Sequence, residues 1–95
     1  MTLSANERGA VMALLDEAMA DAARRNAGVD CGVTTVDIHV TFLGAADGRI
    51  RASARVCGGG RSVCFCEGKA TDAAGRMVAT AMATLRFGEP ARPTA

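Results

Sequence analysis

The residues best suited to chemistry lie in one short segment, ERGAVMALLDEAM (residues 7–19). Two adjacent carboxylates, Asp16 and Glu17, follow an apolar run, and Gly9 lies upstream of them. A carboxylate can act as a general base or as a nucleophile, and N–H groups at the start of a helix can stabilise an anion. Taken alone, a carboxylate pair on a helix more often belongs to a solvated face. The segment therefore poses a choice between a packing helix and a catalytic one.

An amphipathic helix over about residues 5–26 would hold this segment. Ser4 and Glu7 fit a capping box, which predicts a start with Gly9 inside the helix; a start nearer Gly9 is the alternative. Gly28 predicts the C-terminal stop. The apolar residues that recur at spacings of three and four are Val11, Leu14, Leu15, Ala18, Met19 and Ala22.

Four strands are predicted after the helix, over about residues 32–43, 48–57, 61–71 and 75–88. The first alternates strictly, which places Val36, Ile38, Val40 and Phe42 on one face and Thr35, Asp37, His39 and Thr41 on the other. The last places Met77, Ala79, Ala81, Ala83, Leu85 and Phe87 on one face.

Short turns between the strands predict an antiparallel meander. The glycine triplet at residues 58–60 is expected to break the chain into a hairpin. The sheet should pack over the helix. The side chains expected to meet there are Val36, Ile50 and Leu85 from the sheet and Leu14 and Met19 from the helix.

Composition narrows the classes of partner. The length predicts a single domain over residues 1–95, and small apolar side chains predict a weak core that gains from a partner subunit. A net charge of +1 and few aromatic residues argue against nucleic-acid binding. No apolar run is long enough to span a bilayer, so no membrane partner is expected.

Four cysteines and one histidine do not form a metal-binding pattern. Cys64 and Cys66 form a C-x-C pair, Cys31 and Cys57 stand apart, and His39 is the only histidine. We therefore predict no metal site and no cofactor, and interpret the cysteines as small buried hydrophobes. No signal peptide precedes them, which predicts reduced thiols and a cytoplasmic location.

The order of elements and several local sequences resemble acyl-CoA thioesterases of the phenylacetate-degradation branch of the hotdog-fold superfamily. The similar segments are GAVMALLDEAM in the helix, GVTTVDIHVTFL in the first strand, GGGRSVCF at the hairpin and DAAGRMVATAMATLRF at the end. The resemblance covers about residues 7–87. It implies an α+β hotdog fold, in which an antiparallel sheet wraps around one long central helix.

Members of this family commonly carry His-Gly-Gly at the helix start and an Asp or Glu further along the helix. In an alignment without gaps, Glu7 and Arg8 replace the His and the first Gly. Gly9 takes the place of the second Gly, and Asp16 that of the catalytic carboxylate; a shift by one selects Glu17. The resemblance thus implies Asp16 as base or nucleophile and the Gly9 N–H as donor to the oxyanion.

Two further sites follow from the resemblance. Thr35 matches a position where relatives often carry a hydroxyl facing the active site, so it would orient the carboxylate or the water. Gly60, Arg61 and Ser62 match the hairpin end where relatives contact CoA, and Arg61 would meet a phosphate. The alternatives are an ordinary strand residue for Thr35 and a solvated glycine turn for the hairpin.

Asp16 and Gly9 would lie about 10 Å apart along a helix, too far to touch one carbonyl. The resemblance implies a homo-oligomer, a dimer or a dimer of dimers, whose active sites lie at the subunit interface. Residues 1–6 stand where relatives have a first strand. This predicts a minimal hotdog domain, a strand supplied by a partner, or a start assigned too late.

The implied function is hydrolysis of an acyl-CoA to a free acid and CoA. The alternative is a non-catalytic hotdog module that binds an acyl thioester or only assembles with itself. A hotdog dehydratase is a third possibility, but it requires a catalytic histidine, for which His39 on a strand is poorly placed.

Overall fold

One long helix precedes four strands in the computed structural model, which describes residues 3–28 and 32–88. The elements are α1 (Ala5–Ala27), β1 (Val33–Phe42), β2 (Arg51–Gly59), β3 (Val63–Thr71) and β4 (Met77–Phe87). The strands pair antiparallel in one sheet, and α1 packs against one of its faces. The predicted α+β architecture is confirmed.

The strand order is β1-β4-β3-β2, so the predicted meander is correct only for the last three strands. β1 pairs with β4 instead of β2 because the connection over residues 43–50 carries the chain past the start of β4. There the Leu43 N–H donates to the Val78 carbonyl at 2.7 Å. β4 consequently has a partner strand along both edges.

A bulge in β1 overturns the predicted alternation. Thr35 pairs with Leu85 and Asp37 pairs with Thr84, so Val36 is one residue extra. An inserted residue inverts the alternation, which makes the predicted inward Val36 and outward Thr35 both wrong. Val36 is 57% exposed, and Thr35 is half-buried on the face that packs on the helix. Beyond the bulge that face carries Ile38, Val40 and Phe42.

A second bulge lies at the start of β4. Ala70 pairs with Ala79 and Thr71 pairs with Met77, which leaves Val78 as the extra residue. Val78 is fully buried, whereas Met77 is 45% exposed. The predicted inward position of Met77 is wrong for the same reason as in β1.

The glycine triplet continues β2 beyond its predicted end. Gly59 has φ +125°, and a Cβ there would lie 2.5 Å from the Cα of Cys64, so only glycine fits. The turn therefore falls at residues 60–62, where the Gly60 N–H donates to the Val63 carbonyl at 2.8 Å. The break predicted over the whole triplet comes too early.

The core is built from one stripe of the helix and small side chains of the sheet. Leu14 is 40% exposed, so its predicted place in the core is wrong; it points about 100° away from Leu15 around the helix. A Cβ at Gly68 would approach the Leu15 side chain to 3.3 Å, so this glycine lets the helix lie close to β3. The buried apolar side chains are Leu3 before the helix, Val11, Leu15, Met19, Ala22 and Ala23 of α1, and Cys64, Cys66, Ala70, Val78, Ala79, Ala81, Ala83 and Leu85 of the sheet.

The end of α1 agrees with its sequence signals. Gly28 adopts φ +105°, and its N–H donates to the Arg24 carbonyl at 3.0 Å, so the predicted stop is confirmed. Charged residues are spread along the helix surface. Within the described ranges, no helix is both long enough and apolar enough to pass through a membrane.

Asp72 ties the turn between β3 and β4 to the connection after β1. Its buried carboxylate accepts hydrogen bonds from the backbone N–H groups of Asp47, Ala74 and Arg76, at 2.9 to 3.1 Å. Burial raises the pKa of Asp72, but these N–H groups and the Arg76 guanidinium outweigh it and hold the pKa below its ordinary value.

We expect Asp72→Asn to lower the melting temperature at neutral pH, since an amide meets these donors with one acceptor oxygen instead of two. A carboxylate with a lowered pKa contributes stability above its unfolded-state pKa and loses it as pH falls through the folded-state pKa. Thermal unfolding followed from pH 7 towards pH 2 should therefore show the gap between wild type and variant closing in acid. Asp47→Asn, which changes an exposed carboxylate on the same connection, is the control. A gap that does not change with pH would contradict the assignment.

Candidate active site

The start of α1 is fixed by its own side chains. The Glu7 N–H donates to Ser4 Oγ at 3.1 Å, and the Ser4 N–H donates to Glu7 Oε1 at 2.9 Å. Two hydrogen bonds with Ser4 lower the pKa of Glu7: the bond with the Ser4 backbone has the larger effect and the bond with its side chain the smaller one. The predicted capping box is confirmed, and the helix begins at Ala5.

Gly9 lies inside the helix. The first bond of the helical ladder runs from the Arg8 N–H to the Ser4 carbonyl at 2.9 Å, and the N–H of Gly9 follows it in the regular pattern. A Cβ at Gly9 would meet no other described atom within 4 Å. The helix surface at Gly9 is thus open to close approach, but its N–H is not among those that the first turn leaves without an intrahelical acceptor.

The described residues also form a small cavity beside the helix start. Leu3, Phe42, Leu43 and Gly44 give it apolar walls, and Arg8 supplies the one charge. Arg8 Nη1 donates to the Leu3 carbonyl at 3.4 Å.

Asp16 is held by a hydroxyl from the sheet. The Thr35 hydroxyl donates to Asp16 Oδ1 at 2.7 Å, and both side chains are half-buried between α1 and β1. The bond exists because the bulge at Val36 turns Thr35 towards the helix. Among the described residues, no hydrogen bond engages Oδ2 of this carboxylate.

Glu17 faces a different part of the fold. It is exposed and lines a groove between α1 and β2, together with Leu14, Ala18 and residues 52–54. Successive helical residues are separated by about 100° around the axis. The two adjacent carboxylates consequently face different strands, and Asp16 is the one that a polar group of the sheet contacts.

The hairpin at residues 60–62 is exposed and lies at the same end of the sheet as Thr35. The register places Thr35, Leu85 and Cys64 in one row across β1, β4 and β3. Cys64 follows Ser62 closely in the chain, so the hairpin lies about two strand spacings, roughly 10 Å, from Thr35. Among the described residues no hydrogen bond or ion pair joins the hairpin to the carboxylate on α1.

The described cysteines differ in their burial. Cys64 and Cys66 are buried with their Sγ atoms 4.0 Å apart. Burial is the larger cause and the neighbouring Cys64 the smaller one of a rise in the pKa of Cys66 to about 12. The interpretation as buried hydrophobes is confirmed for this pair. It is wrong for Cys57, which is exposed at a bulge in β2, and Cys31 lies outside the described residues. In the part of the chain that the structure describes, no three His, Cys, Asp or Glu side chains are arranged to hold a metal ion.

One polar contact at the bulge was not predicted. Oδ1 of Asp37 accepts a hydrogen bond from the Thr84 N–H at 3.1 Å, where the register of β1 and β4 shifts. No sequence signal marks this contact, because the bulge arises from the pairing of two strands that are distant in the chain.

Comparisons with solved structures place this arrangement among known folds. A thioesterase family protein from Silicibacter pomeroyi is 32% identical, with a TM-score of 0.79, over 93% of this chain and 65% of that one. A Ralstonia eutropha protein, described as a putative, phenylacetic acid degradation-related thioesterase, is 32% identical with a TM-score of 0.73, over 82% of this chain and 59% of that one. A Bacillus halodurans protein solved with CoA shares the fold at 23% identity and a TM-score of 0.80, over 84% of this chain and 57% of that one.

This chain spans 57–65% of the length of those three structures. No curated protein gave a match to the sequence. The family model of the thioesterase superfamily matches residues 8–79, which include Gly9, Asp16 and Thr35. This match covers more than half of the chain and agrees with the helix-on-sheet architecture and with the structural matches. The protein is therefore a hotdog-fold member of the thioesterase superfamily.

Proposed function

We propose that this protein is an acyl-CoA thioesterase that hydrolyses an acyl-CoA to a free acid and CoA, with Asp16 as the catalytic carboxylate. The observation that carries the proposal is the 2.7 Å bond from the Thr35 hydroxyl to Asp16 Oδ1. It holds a half-buried carboxylate in one orientation inside a thioesterase-superfamily fold.

In the general-base form of this reaction, Asp16 Oδ2 takes a proton from water while the water oxygen attacks the thioester carbonyl. The C–S bond then breaks, the sulfur leaves with the electron pair, and the proton passes from Asp16 to the sulfur. In the nucleophilic form, Asp16 attacks the carbonyl itself and the C–S bond breaks, so that CoA leaves as a thiolate and takes a proton from solvent. Water then hydrolyses the mixed anhydride, which releases the acid and a proton and restores the Asp16 carboxylate. Thr35 has the same task in both forms, because it fixes the oxygen that does not react.

We propose that each site is shared between two copies of the chain. Gly9 and Asp16 lie about 10 Å apart along α1, so both can face one thioester only if each comes from a different subunit. β1 is an edge strand of the sheet and offers an unpaired edge within the described residues. The assembly would be a dimer or a dimer of dimers.

Gly9 then provides the close approach to the thioester, since its open surface admits a substrate where a side chain would not. A role for its N–H as donor to the oxyanion further requires the first helical turn to open, because the helix begins at Ala5.

We place the CoA moiety at the β2–β3 hairpin, where Gly60 and Ser62 offer backbone groups and Arg61 a cation for a phosphate. Within the superfamily, we propose the phenylacetate-degradation branch, which the name of the Ralstonia eutropha protein supports. We also propose a cytoplasmic location, because the thiols of Cys64 and Cys66 are free and the cytoplasm keeps thiols reduced.

A non-catalytic module is the second candidate. It is favoured by the capping box, which engages Ser4 and Glu7 and leaves the Gly9 N–H inside the helical ladder. Such a module would bind an acyl-CoA, or assemble with itself, without releasing CoA faster than the background rate.

We expect Asp16→Asn to lower kcat for acyl-CoA hydrolysis by about a hundredfold or more, since an amide accepts no proton from water. The measurement is CoA release from a panel of acyl-CoAs, followed with a thiol reagent. Glu17→Gln makes the same isosteric change at the next residue and should retain the rate, because Glu17 faces β2. Equal release by wild type and Asp16→Asn would leave the non-catalytic module, and loss of activity in Glu17→Gln alone would move the catalytic role to Glu17.

Gly9→Ala should separate stability from turnover. Alanine is favoured over glycine in a helix interior by about 0.5–1 kcal/mol, and a Cβ at Gly9 meets nothing within 4 Å, so the free energy of unfolding should rise by about that amount. The same methyl group should lower kcat/KM if a thioester approaches this surface. Chemical denaturation and steady-state kinetics measure the two effects; a variant that is more stable and fully active would exclude Gly9 from the site.

Mixing two inactive variants tests the shared site. We expect Asp16→Asn and Gly9→Val to regain about a quarter of the wild-type rate after random exchange of subunits in a dimer, because half of the dimers then hold one intact site. Each variant incubated alone is the control. No recovery, despite subunit exchange verified by native mass spectrometry, would place Asp16 and Gly9 of one chain in the same site.

A further inference from the structure

We propose that Asp37 is a positioning residue that holds the bulge of β1 and thereby keeps Thr35 on Asp16. The structural part of this inference stands on the contacts of the strand pair. Its kinetic consequence rests on the proposed thioesterase function.

The bulge requires an explanation because the alternative pairing would bury more apolar surface. With uninterrupted alternation, Val36 would share the inward face with Ile38. In the structure Val36 is 57% exposed, and Thr35 takes the inward position. A shift of one residue moves a side chain from one face of a sheet to the other. The bulged register therefore depends on polar contacts that the unbulged register would lack.

Two such contacts flank Val36 on opposite faces of the sheet. On the helix side, the Thr35 hydroxyl donates to Asp16 Oδ1 at 2.7 Å. On the outer side, Asp37 Oδ1 accepts from the Thr84 N–H at 3.1 Å. Since the register shifts between Thr35 and Asp37, each contact secures one side of the inserted residue.

The contact of Asp37 joins a side chain to the backbone of the neighbouring strand. Asp37 makes no ion pair among the described residues, so its carboxylate is committed to the Thr84 N–H. A hydrogen bond from an N–H to a carboxylate is stronger than one between neutral groups. The hydrogen bond between Asp37 and β4 determines that Val36 is the extra residue, and therefore that Thr35 lies on the inner face.

The first test reads the structure without turnover. In Asp37→Ala we expect the Thr84 amide to exchange with solvent about tenfold faster, and the nuclear Overhauser contact between the Thr35 methyl group and Asp16 to weaken. Asp37→Asn keeps an Oδ1 acceptor and should restore both signals. His39→Ala, on the outer face of the same strand, should leave both unchanged. If the alanine variant does not fold, Asp37→Ser, whose hydroxyl is too short to reach the amide, replaces it.

The second test is a double-mutant cycle on kcat. Asp37→Ala should lower kcat by about three- to tenfold with KM nearly unchanged, and Thr35→Val should lower it by at least as much. If Asp37 acts through Thr35, adding Asp37→Ala to Thr35→Val should change kcat by less than about twofold. Asp37→Asn alone should stay within about twofold of wild type.

The proposal would be overturned if the kcat losses of Asp37→Ala and Thr35→Val multiplied in the double variant. It would also be overturned if the Thr84 amide exchanged at an unchanged rate in Asp37→Ala, or if Asp37→Ala and Asp37→Asn had equal effects. Failure of the thioesterase function is seen separately, as absence of any acyl-CoA turnover by wild type. In that case the exchange rate and the Thr35–Asp16 contact still decide whether Asp37 holds the bulge.

Discussion

The candidate site depends on a single inserted residue in an edge strand. Val36 has no counterpart on β4, and the alternation of β1 inverts where it is inserted. Without the inversion, Thr35 would lie on the outer face of the sheet and the carboxylate of Asp16 would lose the hydroxyl that orients it. The protein exposes an apolar side chain, Val36, in return for a polar one at the helix. Such an exchange of packing for placement is typical of functional positions.

The close fit of helix and sheet sets the distance over which that hydroxyl acts. On β3 and β4 the inner face of the sheet carries mostly alanine and cysteine side chains, and Gly68 leaves room for Leu15 of the helix. Small side chains let α1 lie near the strands, so that the short side chain of Thr35 spans the gap to Asp16. Larger residues on this face would bury more area but would move the helix away from β1.

Local features of the fold were predictable from the sequence. The capping box at Ser4, the stop at Gly28 and the burial of Cys64 and Cys66 each depend on neighbouring residues or on a clear pattern, and all are confirmed. Membership of the superfamily could also be predicted from the sequence, because the order and spacing of segments along the chain carry that resemblance.

The non-local features were not predictable. The position of β1 beside β4, the bulge at Val36 and the bulge at Val78 arise from pairing between strands that are distant in sequence. Periodicity along one strand contains no information about an inserted residue, so the alternation predicts the wrong face for Thr35. The structure places Thr35 on the inner face, where its hydroxyl contacts Asp16.

The self-contained capping box at the start of α1 also bears on how the chain folds. Ser4 and Glu7 satisfy each other, and Asp21 pairs with Arg25 one turn apart, so the helix gains support from contacts that are local in the chain. β1 must instead find β4 across most of the remaining chain, which is a slow kind of contact to close. The local contacts of the helix therefore favour early placement of Asp16, whereas Thr35 reaches it only when β1 docks. A chain in which β1 has not docked would keep Asp16 on its helix but would lack the hydroxyl that orients the carboxylate.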